Sequence, residues 1–223
     1  VATDAERIMS RLDDGLKLID LLKKSLPADV PVIANIIGPG SDASGWGTFA
    51  KKFEDAGADI IEMNVSCPIP ACTADAVGSY ASGEMPSSAG SLLGDSPALL
   101  EPVVQAVVDA VSIPVGVKMT PETGFPRLVG VAEAIQRGGA QFISGINAPL
   151  TCSPPDIYND GKAKWPGIED HMLCAALGPW DRFLNYRNLT TLSMFVPGMA
   201  LCSIGGLVEP EHVVEAMMLG GRV

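Results

Sequence analysis

The segment at residues 59–68 has the sequence DIIEMNVSCP and joins an apolar run to a polar, reactive end. Residues 59–65 form a short, mostly apolar stretch between a glycine turn and a proline, which predicts a buried β-strand. Asn64, Ser66 and Cys67 stand at the C-terminal end of this stretch. The predicted strand would therefore bring two hydrogen-bonding side chains and a cysteine to one edge of a sheet.

Similar apolar runs alternate with amphipathic stretches along the whole chain. Four further strands are predicted at residues 31–37, 114–119, 141–146 and 200–204, and six helices at residues 5–25, 46–56, 97–111, 126–137, 180–193 and 209–219. Two long loops are expected at residues 67–95 and 148–178. Continuous apolar strands in β-α-β-α order predict a parallel sheet that helices cover on both sides.

Polar residues follow the predicted strands at their C-terminal ends. They are Asn35, Asn64 to Cys67, Lys118, Asn147, and Ser203 with Gly205 and Gly206. A (β/α)8 TIM barrel gathers such ends around one mouth, where barrel enzymes keep their active sites. We therefore expect an α/β fold with one domain at residues 1–223, an incomplete barrel in which the first two strands and the last strand are not evident. A doubly wound sheet is the alternative, although no Gly-x-Gly-x-x-Gly segment follows any strand.

Charge and hydropathy narrow the classes of function. The net charge of −11 argues against nucleic acid as a partner, because phosphate backbones need a basic surface. The chain has no run of 18 apolar residues, so no membrane span is expected. Its first residues do not have the pattern of a signal peptide.

The five cysteines follow no disulfide framework and include no CxxC pair. They indicate thiols in a reducing compartment, which favours a cytoplasmic protein without a metal site. Cys152, Cys174 and Cys202 are expected to be packing residues. The two histidines, His171 and His212, are expected on the surface or in structural roles.

Several segments resemble one known family. Residues 62–68 (EMNVSCP) are similar to the E-x-N-x-S-C-P segment of class 1 dihydroorotate dehydrogenases and dihydropyrimidine dehydrogenases. Residues 117–121 are similar to the K-L-T-P strand end of this family, Asn147 stands where the family has N-T, and Asp160-Gly161 with Trp165-Pro166 is similar to D-G-x-x-W-P. Gly178, Arg182 and Arg187 are similar to the start of a family helix. Residues 203–207 are similar to a glycine-rich phosphate turn, and residues 4–8 to N-x-E-x-I. These matches keep their order over nearly the whole chain.

The resemblance implies an FMN-containing barrel and assigns residues to the cofactor. Lys118 would lie near flavin N1, where a cation stabilises the reduced, anionic flavin. Gly205 and Gly206 would allow backbone N–H groups to approach the phosphate, and Gly178 would lie in the same region. Asn147 would also lie beside the cofactor.

The same resemblance implies oxidation or reduction of a C–C bond in a cyclic substrate. Asn64, Ser66, Asn147 and Glu6 would bind the ring, since an amide offers both a donor and an acceptor. Flavin N5 would exchange a hydride with one ring carbon, and Cys67 would exchange a proton with the adjacent carbon. Cys72 is a second candidate for the proton donor.

Departures from the family leave the substrate open. Ala148 replaces the usual threonine, and the loop after Cys67 lacks the usual His-Gly. The electron partner is expected to be a subunit or domain with FAD, iron–sulfur or NAD(P)H, and a homo-oligomer is compatible with the resemblance.

Two other functions remain open. The chain could be an electron-relaying or non-catalytic flavin-barrel subunit, or an aldolase-type barrel that uses Lys118 as a Schiff base. Each candidate residue also has an ordinary structural interpretation: a small buried Cys67, a Lys118 that extends to solvent, asparagines that cap loops, and glycines that form a turn.

Overall fold

The computed structural model describes residues 2–3, 12–67, 82, 91–165 and 173–222. Its strands are β1 (Ala2–Thr3), β2 (Ile33–Ile36), β3 (Ile60–Asn64), β4 (Val115–Lys118), β5 (Phe142–Ser144), β6 (Leu150–Cys152), β7 (Leu173–Ala176) and β8 (Ala200–Cys202). Its α-helices are α1 (Leu12–Ser25), α2 (Ala43–Asp55), α3 (Ser91–Gly94), α4 (Pro97–Ala110), α5 (Arg127–Arg137), α6 (Arg182–Phe195) and α7 (Pro210–Met218). The five predicted strands are confirmed as β2, β3, β4, β5 and β8.

The main sheet is parallel and has the order β2-β3-β4-β5-β8, so its strands are neighbours in the same order as in the sequence. A doubly wound sheet reverses its strand order at a switch point, which this sheet does not do. Right-handed crossovers that always advance in one direction put the intervening helices on a single face. The fold is therefore an α/β sheet of the barrel type, and the doubly wound alternative is wrong.

The two faces of this sheet differ in polarity because successive side chains point to opposite faces. The outer face carries the aligned residues Ile36, Met63, Val117, Ile143 and Leu201, all of which are buried. Neighbouring helices pack side by side, α2 on α4, α4 on α5 and α5 on α6, in one layer. The expectation of helices on both faces is therefore wrong, and the opposite, inner face is left for polar side chains.

A second, smaller sheet was not predicted. It is antiparallel, with the order β1-β7-β6. The strands β6 and β7 fall inside residues 148–178, so the prediction of a continuous loop there is wrong. The helix α3 likewise lies within the predicted loop at residues 67–95. The elements α3, β6 and β7 have only three or four residues each, which is too short for a hydrophobic period to be recognised.

Helix α1 begins at Leu12 in the described part of the chain, so the predicted start at residue 5 lies outside the described residues. The other predicted helices, found as α2, α4, α5, α6 and α7, agree with their predicted bounds to within a few residues. None of the helices in the described ranges is long and apolar enough to cross a membrane.

A glycine in the main sheet provides a test of the inner-face packing. A Cβ atom at Gly116 would lie 2.1 Å from the ring of Phe142, its register partner on β5. We expect Gly116→Ala to lower the free energy of unfolding by about 1–3 kcal/mol, since the ring has to move. Urea denaturation measures this change.

The matched control is Gly130→Ala, in α5, where an added Cβ meets no atom within 4 Å. This substitution removes a flexible helix residue and should stabilise the fold by about 0.5–1 kcal/mol. Equal effects of the two substitutions would contradict the packing of Phe142 over Gly116.

Candidate active site

The C-terminal edge of the sheet carries a row of polar side chains on the inner face. Strand register aligns Asn64 with Lys118, Lys118 with Ser144, and Ser144 with Cys202. We call these four residues the inner row. The sequence analysis named Asn64 and Lys118, and the register shows that they are immediate neighbours on adjacent strands.

Asn64 is the centre of a hydrogen-bonded amide network. Its Oδ1 accepts from the Ser66 hydroxyl at 2.9 Å and from Asn147 Nδ2 at 3.1 Å. Asn147 Nδ2 also donates to Ser66 Oγ at 3.0 Å. Three residues that the sequence analysis assigned to substrate binding therefore lie together, although Asn147 is more than 80 positions away in the chain.

The network continues to a buried carboxylate that the sequence analysis did not select. Asn64 Nδ2 donates to Asn35 Oδ1 at 3.1 Å, and Asn35 Nδ2 donates to Glu62 Oε2. Glu62 Oε1 accepts from the Ser144 hydroxyl. Glu62 precedes Asn64 by two residues in β3, so the two-residue period of a strand was the signal that places both on one face.

Lys118 and Cys202 complete the inner row. Lys118 is partly exposed, and within the described ranges no carboxylate forms an ion pair with it. Burial raises the pKa of the Cys202 thiol, the charge of Glu62 raises it further, and the charge of Lys118 lowers it. Cys202, expected to be a packing residue, thus stands among the charged groups of the inner face.

Cys67 directly follows Ser66 beyond the end of β3 and is partly exposed. Ser66 itself is fully buried, and its backbone N–H lies 3.3 Å from Asn64 Oδ1. The network thus holds the residue that precedes Cys67. Glu6, Cys72 and His171, which the sequence analysis also considered, lie outside the described residues.

The turn of Gly205 and Gly206 follows β8 and packs against the start of α6. Both residues have positive φ, +121° and +72°, which favours glycine. A Cβ at Gly206 would lie 2.3 Å from the backbone nitrogen of Arg182. Only glycine allows so close an approach, and successive residues of this kind can turn their N–H groups towards one anion.

Asn185 holds this turn in place and was missed by the sequence analysis. Its Nδ2 donates to Ser203 Oγ at 2.9 Å and to the Gly205 carbonyl at 3.2 Å. Asn185 and Asn188 are buried together with Leu189 and Leu192 on one face of α6. These four positions have the spacing of a buried helical face, so the presence of two asparagines among them was the available signal.

Gly178 lies at the entrance to the same helix. Its N–H donates to Asp181 Oδ2 at 2.9 Å, and a Cβ at Gly178 would lie 2.9 Å from the Trp180 ring. Asp181 is buried, and burial raises the pKa of its carboxyl, while the Gly178 N–H lowers it. The N–H of Gly178, which the resemblance places near the phosphate, is therefore engaged by this carboxyl group.

The residues of this region fit an anionic cofactor. Arg182 Nε is buried and has no hydrogen-bond partner among the described residues. Gly206 packs against the backbone nitrogen, Cα and Cβ of the same residue. Lys118 provides a second cation on the inner face. His212 contacts Arg182 and accepts the N–H groups of Val208 and Glu209 at 3.2 Å, consistent with its expected structural role.

The fold is similar to that of one class, the FMN-dependent α/β barrels. Residues 39–144 match the family model described as dihydrouridine synthase (Dus). The structure also matches a crystal structure of DHODH in complex with ferulenol from Eimeria tenella, with a TM-score of 0.64 and 12% identity over 94% of this chain and 56% of that chain. At this identity the match shows the fold alone, and it confirms the barrel class.

Curated relatives give the particular resemblance. The subunit PreA of the NAD-dependent dihydropyrimidine dehydrogenase of Escherichia coli K12 is 36% identical over 218 residues, 94% of this chain and 46% of that protein. The catalytic subunit of dihydroorotate dehydrogenase B (NAD(+)) of Methanosarcina acetivorans is 36% identical over 194 residues, 86% of this chain and 53% of that protein. The chain thus spans about half the length of these relatives, and the resemblance to dihydropyrimidine and dihydroorotate dehydrogenases is confirmed.

The role of Asn185 can be tested by stability. We expect Asn185→Ala to lower the free energy of unfolding by about 1–3 kcal/mol, because Ser203 Oγ and the Gly205 carbonyl lose a buried donor. Urea denaturation of the full chain measures this loss.

Asn159→Ala is the control, since Asn159 is exposed in the loop after β6 and should change stability by less than about 0.5 kcal/mol. A loss at Asn185 no larger than that at Asn159 would contradict the anchoring of the glycine turn.

Proposed function

We propose that the chain is an FMN-dependent oxidoreductase that adds or removes hydrogen across a C–C bond of a small cyclic substrate, in the manner of dihydropyrimidine and dihydroorotate dehydrogenases. The observation that carries this proposal is the network of Asn64, Ser66 and Asn147 at the C-terminal edge of the sheet, where Asn64 pairs with Lys118 and Ser66 directly precedes Cys67. We also propose that residues 1–223 form a single barrel-type domain.

The cofactor would be held by the Lys118 side chain and by the glycine turn after β8. Lys118 supplies a positive charge on the inner face, and the N–H groups of Gly205 and Gly206 would bind a phosphate, with Arg182 as a charged donor beside them. Gly178 would leave room near the same phosphate because it has no side chain. When bound, FMN supplies or accepts the hydride. Lys118 then balances negative charge on the reduced cofactor.

The substrate would be held by the amides of Asn64 and Asn147. Asn147 Oδ1 accepts the Ala148 N–H at 2.8 Å, which leaves the second lone pair of this oxygen for a ring N–H. Asn64 Nδ2 uses one hydrogen for Asn35, and its second hydrogen is available for a ring carbonyl. Ser66 would support both amides. Glu6 stays a proposed substrate residue, outside the described part of the chain.

Cys67 would move the proton. In the direction of reduction its Sγ–H is transferred to the ring carbon next to the one that gains hydride, and the thiolate is left behind. In the direction of oxidation the thiolate removes that proton. A protonated thiol can serve as the general acid in one direction, and the thiolate can serve as the general base in the other.

A separate electron partner is part of the proposal. The Escherichia coli relative is named as a subunit, and the archaeal relative as a catalytic subunit. We therefore expect a subunit or domain with FAD, iron–sulfur or NAD(P)H to exchange electrons with this chain. The names of these relatives favour redox chemistry over a Schiff base at Lys118, and turnover by Cys67 distinguishes a catalytic chain from an electron-relaying one.

Substitution of Cys67 tests the proposed chemistry. Cys67→Ala should slow reduction of bound flavin by dihydrouracil or dihydroorotate by about 10²–10⁴-fold, because no group replaces the base. Flavin content should stay that of the unaltered chain. Stopped-flow absorbance measures the rate, and the absorption spectrum measures the content.

Cys152→Ser is the matched control, because Cys152 is an exposed cysteine in β6 of the small antiparallel sheet. Its rate should equal that of the unaltered chain. Unchanged flavin reduction in Cys67→Ala would remove Cys67 from the mechanism. Reduction by neither compound, with flavin bound normally, would favour the electron-relay alternative.

A further inference from the structure

We propose that Glu62 is a positioning residue that sets the direction of the Asn35 and Asn64 side-chain amides, and thereby makes Asn64 a hydrogen-bond donor towards the substrate. The part of this inference that concerns substrate rests on the proposed function. The part that concerns amide direction does not.

A side-chain amide has a donor end and an acceptor end of nearly the same shape. Rotation by half a turn therefore changes the hydrogen-bonding pattern without changing the space that the amide fills. Only the partners of an amide decide which end faces which way. For Asn64 this choice decides whether the group offered to a substrate is an N–H or an oxygen.

The chain of contacts gives one consistent answer. A carboxylate has acceptors only, so Asn35 turns its NH₂ group towards Glu62 and its oxygen towards Asn64. Asn64 then has to turn its NH₂ group towards Asn35. Its oxygen consequently faces Ser66 and Asn147, which is the arrangement of the network.

The contacts at the Asn147 end of the network favour the same direction of the Asn64 amide, but they do not replace the effect of Glu62 on Asn35. The Ala148 N–H orients Asn147 at 2.8 Å, whereas the backbone donor on Asn64, the Ser66 N–H, lies 3.3 Å away. Asn35 has no other described partner than Glu62 and Asn64. The direction of Asn35 therefore depends on Glu62, and a reversed Asn35 would oppose two donors at Asn64.

The position of Glu62 suits this role. It is 9% exposed and Ser144 is 0% exposed, so water has little access to the carboxylate. Its neighbour in the register is Gly116, which has no side chain, and this lets Glu62 reach across β4 to Ser144 on β5. The Ser144 hydroxyl donates to one oxygen and leaves the other for Asn35.

Two variants test the inference. In Glu62→Gln the side chain keeps its shape but can offer either an oxygen or an NH₂ group to Asn35, so both directions of Asn35 become available. In the double variant Glu62→Gln with Asn35→Asp, the new carboxylate at position 35 accepts from Gln and from Asn64 Nδ2. The direction of Asn64 is then restored although the acid has moved to the neighbouring strand.

The first readout is the set of side-chain amide signals in an NMR spectrum of the full chain labelled with ¹⁵N-asparagine. The chain has six asparagines, so the signals of Asn35 and Asn64 can be assigned by substitution. We expect Glu62→Gln to shift or double both sets, and the double variant to return a single set for Asn64. Ser144→Ala is the control, and it should leave the direction of both amides unchanged.

The second readout is the binding of uracil, followed by the change in visible absorption of bound flavin. Glu62→Gln should weaken binding by about 10- to 100-fold, because a buried donor is lost or opposed, and the double variant should recover most of it. The KM for the ring substrate should rise by about the same factor as the dissociation constant of uracil, and kcat should change less.

The inference is overturned if Glu62→Gln leaves the Asn35 and Asn64 signals unchanged, or if the double variant shows no recovery. If Glu62→Gln does not fold, Asn35→Ala removes the same link from an exposed position, and unchanged Asn64 signals would then overturn the inference. Absence of flavin or of uracil binding in the unaltered chain would count against the proposed function only, since the amide signals need neither.

Discussion

The parallel register between β3 and β4 is the constraint on which the rest of the site depends. It sets Asn64 beside Lys118 on the inner face and Met63 beside Val117 on the outer face. A slip by one residue would exchange these faces, burying an ammonium group under the helices and exposing apolar side chains. The apolar outer row packed under the helices makes such a slip costly, so burial on one face determines which polar groups meet on the other.

The candidate site is assembled from residues of several strands and of a helix rather than from one motif. Asn64 and Ser66 come from β3 and the residues after it, Asn147 follows β5, and Glu62 connects β2 to β5. Asn185 of α6 holds the glycine turn that follows β8. The amide network and the glycine turn differ in chemistry. The amides suit a ring with N–H and carbonyl groups, whereas the backbone N–H groups of the turn and Arg182 suit an anion.

Much of the main sheet could be predicted from the sequence, because its strands are continuous apolar runs separated by long amphipathic helices. The clustering of Asn64 and Asn147 followed from the rule that parallel strand ends meet. The small antiparallel sheet could not be predicted, since β6 and β7 are short and their pairing depends on contacts between distant segments. Glu62 was not predicted as a site residue, because the role of a charged residue inside an apolar strand is apparent only when its partners, Asn35 and Ser144, are known. Asn185 was passed over because a helix that buries two asparagines has a weak apolar period.

We expect Lys118 and the turn of Gly205 and Gly206 to hold FMN between them, and the absorption spectrum of the purified full chain tests this most directly. We expect a yellow protein, or a colourless one that takes up added FMN to an equimolar level with a perturbed flavin spectrum. A colourless protein that leaves the spectrum of added FMN unchanged at saturating concentration, while remaining folded by circular dichroism, would contradict FMN binding at this site.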